Sequence, residues 1–119
     1  MDLGKQLWAI GDGFMSSTAK GDYVSHEAVC VLNTTDFDAT ITIDVYFEDR
    51  EPMLGFTAVC GARRTNQVRL DKIKNATGQP IPKDVPYALL VHSNVPVVVQ
   101  HSRMDVTQAE MTLMTTIAY

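Results

Sequence analysis

From Thr40 to Glu48 the chain alternates with a period of two. Ile41, Ile43, Val45 and Phe47 fall on one side, and Thr42, Asp44, Tyr46 and Glu48 on the other. Successive side chains of an extended backbone point to opposite faces, so this pattern describes a strand with one buried face. Val24 to Leu32 repeats it, setting Glu27, Val29 and Val31 against His26, Ala28, Cys30 and Leu32. Further strands are expected at Lys5–Ile10, Phe56–Cys60, Thr65–Leu70, Tyr87–Ser93, Val97–Arg103 and Met111–Ala118. No long amphipathic helix competes with them.

The segments between these runs are rich in turn formers. Asn33 to Asp38 reads as a hairpin connection, Gly61-Ala62 as a tight turn, and Asn94-Val95-Pro96 as a turn separating two strands. Pro80, Pro82 and Pro86 make 79–86 an extended crossover, and Asp71 to Asn75 reads as one short helical turn. About eight short antiparallel strands with little helix indicate an all-β sandwich or barrel. At 119 residues the chain forms a single domain, 1–119, large enough to fold without a metal or disulfide staple.

Cys30 and Cys60 have no CxxC-type spacing and are expected to be two reduced, buried thiols. No apolar run approaches the roughly 20 residues that span a bilayer. The N-terminus carries Asp2 and no long apolar stretch, which is unlike a signal peptide, so a cytoplasmic location is expected. The net charge of −4 is unevenly divided: residues 1–60 hold 3 basic and 10 acidic side chains, residues 61–119 hold 7 and 4. Such a chain presents patches of opposite sign.

Arg63, Arg64, Arg69, Lys72 and Lys74 form the only basic cluster. Guanidinium forks match carboxylates and phosphates, so this cluster is a candidate surface for an acidic partner or nucleic acid. The plainer reading is a solvated hairpin whose arginines pair with Asp44, Glu48, Asp49 or Glu51. Trp8, His26, Glu27, His101, Arg103 and Asp105 form a candidate cleft for a small polar ligand such as a sugar, provided the fold gathers them. The more usual role of such a tryptophan is to plug one end of the core. In 93–105, SNVPVVVQHSRMD, alternation places His101 and Arg103 on the face of Val97 and Val99, with Gln100 and Ser102 opposite. His101 and Ser102 therefore diverge, as do His26 and Glu27. No Gly-x-Ser-x-Gly elbow or phosphate-binding loop occurs, and no catalytic, cofactor or metal site is assigned. The apolar C-terminal residues Met111, Leu113, Met114 and Ile117 are suited to covering a sheet edge by self-association.

The segments WAIGDGF (8–14), VSHEAVCVLN (24–33), EP (51–52), ARRT (62–65), PIP (80–82), SNVPVVVQHSRMD (93–105) and TIAY (116–119) resemble the sensory rhodopsin transducer family. The resemblance covers nearly the whole chain in order. It implies a jelly-roll-like β-sandwich, a homotetramer, and a non-enzymatic signalling adaptor in the cytoplasm beneath a membrane photoreceptor. Two other functions stay open on the residues: a carbohydrate-like ligand module and a DNA-binding regulator.

Overall fold

A computed structural model describes residues 3–108, 110 and 112–119. Among the described residues seven strands form in chain order: β1 (Lys5–Gly13), β2 (His26–Asn33), β3 (Ala39–Phe47), β4 (Met53–Cys60), β5 (Arg64–Arg69), β6 (Tyr87–Asp105) and β7 (Thr112–Ile117). All pairings are antiparallel, and the sheet runs β4-β3-β6-β2-β5, with β1 and β7 each pairing β6 as well. Among the described residues there is no helix, and hence none long and apolar enough to cross a membrane. The expected start of the last strand at Met111, like Asp2, lies outside the described residues.

The strand count differs from the expected eight because 87–105 is one strand with a corner. Its first part pairs β1 and β3, its second part β2 and β7. Lys5 pairs with Val97 and Leu7 with His92, so two steps along β1 span five along β6. The surplus falls at Asn94-Val95-Pro96, the expected turn, where the missing N–H of proline sits between the two sets of partners. Asn94 is held there by Thr40 N–H, which donates to its Oδ1 at 2.7 Å, while Gln6 Nε2 donates to its carbonyl at 2.8 Å. Alternation continues through the corner: Tyr87, Leu89, Val91, Ser93, Val97, Val99 and His101 are all buried.

β2 and β3 do not form the expected hairpin. Each pairs β6, on opposite sides of its corner, so the 34–38 link passes between the two parts of a curled sheet. Buried Asn33 organises that link. Its Nδ2 donates to the carbonyls of Phe37, Cys60 and Gly61, and its Oδ1 accepts from the Thr35 N–H and hydroxyl. Composition marked a turn correctly, but turn formers do not say which strands become neighbours. The expected helical turn after Leu70 is instead a tight turn, in which Lys72 N–H donates to the Arg69 carbonyl at 3.2 Å.

Ile41, Ile43 and Val45 of β3 are fully buried, as their alternation requires, and meet Phe56, Val29, Val31, Val91, Val97 and Val99 in one core fed by both parts of the sheet. Trp8 is half-buried at the margin of this core, its indole N–H shared between the Lys5 and Val97 carbonyls. Both thiols are free. Cys60 is in the core, whereas Cys30 is only half-buried because it projects from the outer face of β2.

Candidate functional site

Glu27 shares the inward face of β2 with Val29 and Val31, so its carboxylate enters the core with no exposure to solvent. An unpaired charge there would be prohibitive. Four donors resolve it. Phe14 N–H and Arg103 Nε donate to Oε2 at 2.7 and 2.8 Å. His101 Nε2 contacts Oε1 at 2.8 Å, and the Tyr87 hydroxyl donates to the same oxygen. Tyr87 and His101 stand fourteen residues apart on one strand, which would separate them by about 45 Å if it were straight. Their meeting on a single oxygen is the geometric consequence of the corner in β6.

Burial alone would push the Glu27 carboxyl upward. The bonds from His101, the Phe14 amide and Tyr87 outweigh it and hold the group below the usual carboxylate range. Burial, then the neighbouring carboxylate, pushes the Tyr87 phenol upward, so it remains a proton donor. Burial opposes the charge of Arg103, but Glu27 outweighs it and raises the guanidinium. Arg103 also reaches outward, with its Nη2 3.4 Å from the Asp12 carbonyl and 3.6 Å from Asp12 Oδ1. His101 Nδ1 faces Thr116 Oγ1 at 3.3 Å. Gly13 is required beside Tyr87, because a Cβ at that position would run into the phenol ring.

Above this cluster β1 and β7 splay apart. Between them lies a cleft of about 490 Å³, lined by Ile10 and Asp12 on one side, Met114 and Tyr119 on the other, and reaching His101 and Arg103. Its far end is closed by paired backbone bonds between Ala9 and Tyr119.

Of the six residues in the expected cleft, the fold gathers Glu27, His101 and Arg103. Trp8 is tied to the Val97 carbonyl, His26 turns to the opposite face with Nδ1 on the Val24 carbonyl, and Asp105 Oδ1 accepts from the Thr107 N–H. Sequence reasoning missed Tyr87, Asp12, Thr116 and the Phe14 amide. Tyr87 carried a signal, since it is in phase with inward Leu89 and Val91; the other three depend on pairing that no local pattern states.

The basic cluster occupies both ends of β5, about 16 Å apart by strand rise. Arg63 sits at a positive φ of 56° in the turn and lies 3.8 Å from Asp36. Arg69 makes a two-point contact with Asp71 at 2.8 and 2.9 Å. The expected partners Asp44 and Asp49 are engaged elsewhere, with the Gly55 N–H and Arg50. Arg63 meets its acid across the fold, twenty-seven positions away in sequence, whereas Arg69 takes a local one two positions on, in the turn after β5. Arg64, Lys72 and Lys74 are exposed.

These features define a small, curled antiparallel β-domain with a buried carboxylate cluster beneath an open cleft and charge concentrated at its turns. Residues 3–119 match the sequence model described as Anabaena sensory rhodopsin transducer, and the chain belongs to that family. It is similar to a crystal structure of Thermotoga maritima 1070, with 40% identity, a TM-score of 0.86, and coverage of 98% of this chain and 94% of that one. It is similar also to the solved Anabaena sensory rhodopsin transducer, with 39% identity, a TM-score of 0.77, and coverage of 92% and 96% respectively. Among curated proteins, none matches the chain.

Proposed function

We propose that this protein is a non-enzymatic transducer that docks on the cytoplasmic face of a sensory-rhodopsin-like receptor and relays its signal as a cytoplasmic homotetramer. The observation that carries the proposal is the family match over 3–119, together with a fold shared with the Anabaena transducer. The two parts of the sheet contribute to one core, which supports reading the architecture as a jelly-roll-like sandwich in which β6 serves both layers. For docking we assign the exposed basic turns, Arg63 and Arg64 with Lys72 and Lys74, and Arg69 as a brace held by Asp71. Electrostatic docking of this kind weakens with salt. Titration of the protein against a purified sensory rhodopsin in lipid nanodiscs, at low and high salt, tests it; no binding at low salt would refute it.

A second reading is favoured by the cleft between β1 and β7. Its volume suits a small ligand, and Asp12 and Arg103 supply an acceptor and donors beside apolar walls. A neutral polar ligand fits better than an anion, because Arg103 is already neutralised by Glu27. Saturation-transfer NMR against a panel of neutral sugars and polyols tests this reading, and absence of any signal at millimolar ligand would dismiss it.

A further inference from the structure

β1 and β7 are both edge strands, and they meet at one end only. Ala9 N–H donates to the Tyr119 carbonyl, and Tyr119 N–H donates to the Ala9 carbonyl at 2.8 Å. That exchange sets an antiparallel register whose next pair would be Gly11 with Ile117. Instead the strands splay, and the cleft of about 490 Å³ lies between them. Backbone groups on both sides face this gap. Leu70 N–H donates to the Glu27 carbonyl, so Ala28 and Cys30 turn their own backbone groups toward β6. By the same alternation Met114 and Thr116 bond β6, whereas Thr115 and Ile117 direct theirs into the seam. On β1, Ala9 and Gly11 do so. Gly11 has no positive φ, and among the described residues nothing beyond its chain neighbours lies within 4 Å of where a Cβ would stand. The chain's own packing therefore does not require glycine there, but a bare strand position lets another backbone approach. β7, TLMTTI, carries neither charge nor proline, the usual blocks to edge pairing.

From Met114 to Tyr119 the seam runs about 17 Å at strand rise, room for about five residues of an extended chain. At Gly11 and Asp12 it adjoins a shallow pocket of about 270 Å³ walled by Tyr46, Phe47, Glu48 and Pro86, with no lysine or arginine in its lining. Asp12 is 89% exposed, and Arg103, 3.6 Å from it, is already held by Glu27. We propose that the seam takes up an extended segment of a second protein as an added strand, with a lysine or arginine of that segment set between Asp12 and Glu48. The inference rests on the adaptor reading and supplies its output side, the second protein lying downstream of the receptor. The segment occupies the cleft that the second reading gives to a small ligand. β5 and β7 are opposite edges of the β5-β2-β6-β7 part of the sheet, so a receptor held by the basic turns leaves the seam open. The two sites also differ in sign, so each disfavours the other's partner. Main-chain hydrogen bonds supply affinity, and alternate side chains fall against Ile10 and Met114.

The probe is a random octapeptide library displayed on phage and selected on the full chain, followed by titration of the enriched peptide by fluorescence anisotropy. Enriched sequences should alternate apolar with polar residues and carry a lysine or arginine. Methylating alternate backbone nitrogens of the peptide should weaken binding about tenfold or more. Thr115→Pro removes an N–H that faces the seam and spares the bonds to β6, so it should keep the fold and weaken binding about tenfold. Asp12→Asn should cost about threefold. Arg63→Glu with Arg64→Glu, impaired for the receptor, should bind the peptide as wild type does, which separates failure of this site from failure of docking. If circular dichroism shows Thr115→Pro unfolded, the N-methylated peptide carries the test. No enriched peptide, equal binding by folded Thr115→Pro, or indifference to N-methylation overturns the proposal. So does polyol binding without peptide binding. Thr115 and Ile117 amides already protected from exchange in the free protein would also overturn it, because a second copy would then fill the seam.

Discussion

Replacing Glu27 with glutamine keeps the shape of the side chain and removes its charge from the centre of the four-donor cluster. The amide has one oxygen where the carboxylate had two. In its better orientation that oxygen keeps the Phe14 amide and Arg103, while the amide nitrogen meets Tyr87 and His101, which can turn a lone pair toward it. The ion pair to Arg103 is lost. A hydrogen bond to a charged group contributes about 1.5–3 kcal/mol, and removing one partner of a buried pair costs about 3–5 kcal/mol. Arg103 is 22% exposed, so water can solvate part of the stranded guanidinium. That places the loss at the low end, about 3 kcal/mol. With an unfolding entropy near 2.1 cal/mol/K per residue, a chain of 119 residues should lose about 12 °C in Tm.

Thermal unfolding by circular dichroism measures this loss, and pH supplies an independent sign. The folded Glu27 carboxyl lies below its unfolded value of about 4.3. Its contribution is therefore complete above that value and disappears as pH falls toward and through the folded one. Glutamine does not titrate, so the stability gap between the two proteins should stay constant near neutrality and close in acid. A Tm shift below about 3 °C, or a gap that widens in acid, would refute the account of the cluster.

Gly13→Ala should force the Tyr87 ring away from Glu27 and cost about 2–3 kcal/mol, read as a lower urea midpoint; an unchanged midpoint would mean the contact is not tight. Asn33→Ala removes five hydrogen bonds, three that shape the 34–38 link and two that tie it to the β4–β5 turn, and should lower Tm by about 8–12 °C. Arg63→Glu combined with Arg64→Glu should weaken receptor binding about tenfold or more without altering Tm, measured by titration at low salt. Binding equal to wild type would remove the basic turns from the interface.

The sequence resolved what period-two patterning can resolve. Ile41, Ile43 and Val45 are inward as their alternation demands, and His101 and Arg103 do share the face of Val97 and Val99. Glu27 was equally readable as in phase with Val29 and Val31, which makes it a buried carboxylate in need of partners. The partners were not readable. They arrive from both ends of β6 because a corner at Asn94-Val95-Pro96 folds one strand back over the core, and local composition describes that corner only as a turn. The same limit separated β2 from β3, since residues 34–38 look alike whether they close a hairpin or cross between the parts of a sheet. The ion pairs of Arg63 and Arg69 with Asp36 and Asp71 likewise follow from the curl and the turn after β5.

Transduction requires binding to a receptor that changes with light, and titration measures both. The tagged protein would be titrated onto a sensory rhodopsin in nanodiscs, in darkness and under illumination, with empty nanodiscs as reference. Saturable binding to the receptor alone, weakened by salt and changed in affinity by light, is the predicted result. Equal retention on empty and receptor-bearing nanodiscs, or no retention in either light condition, would contradict it.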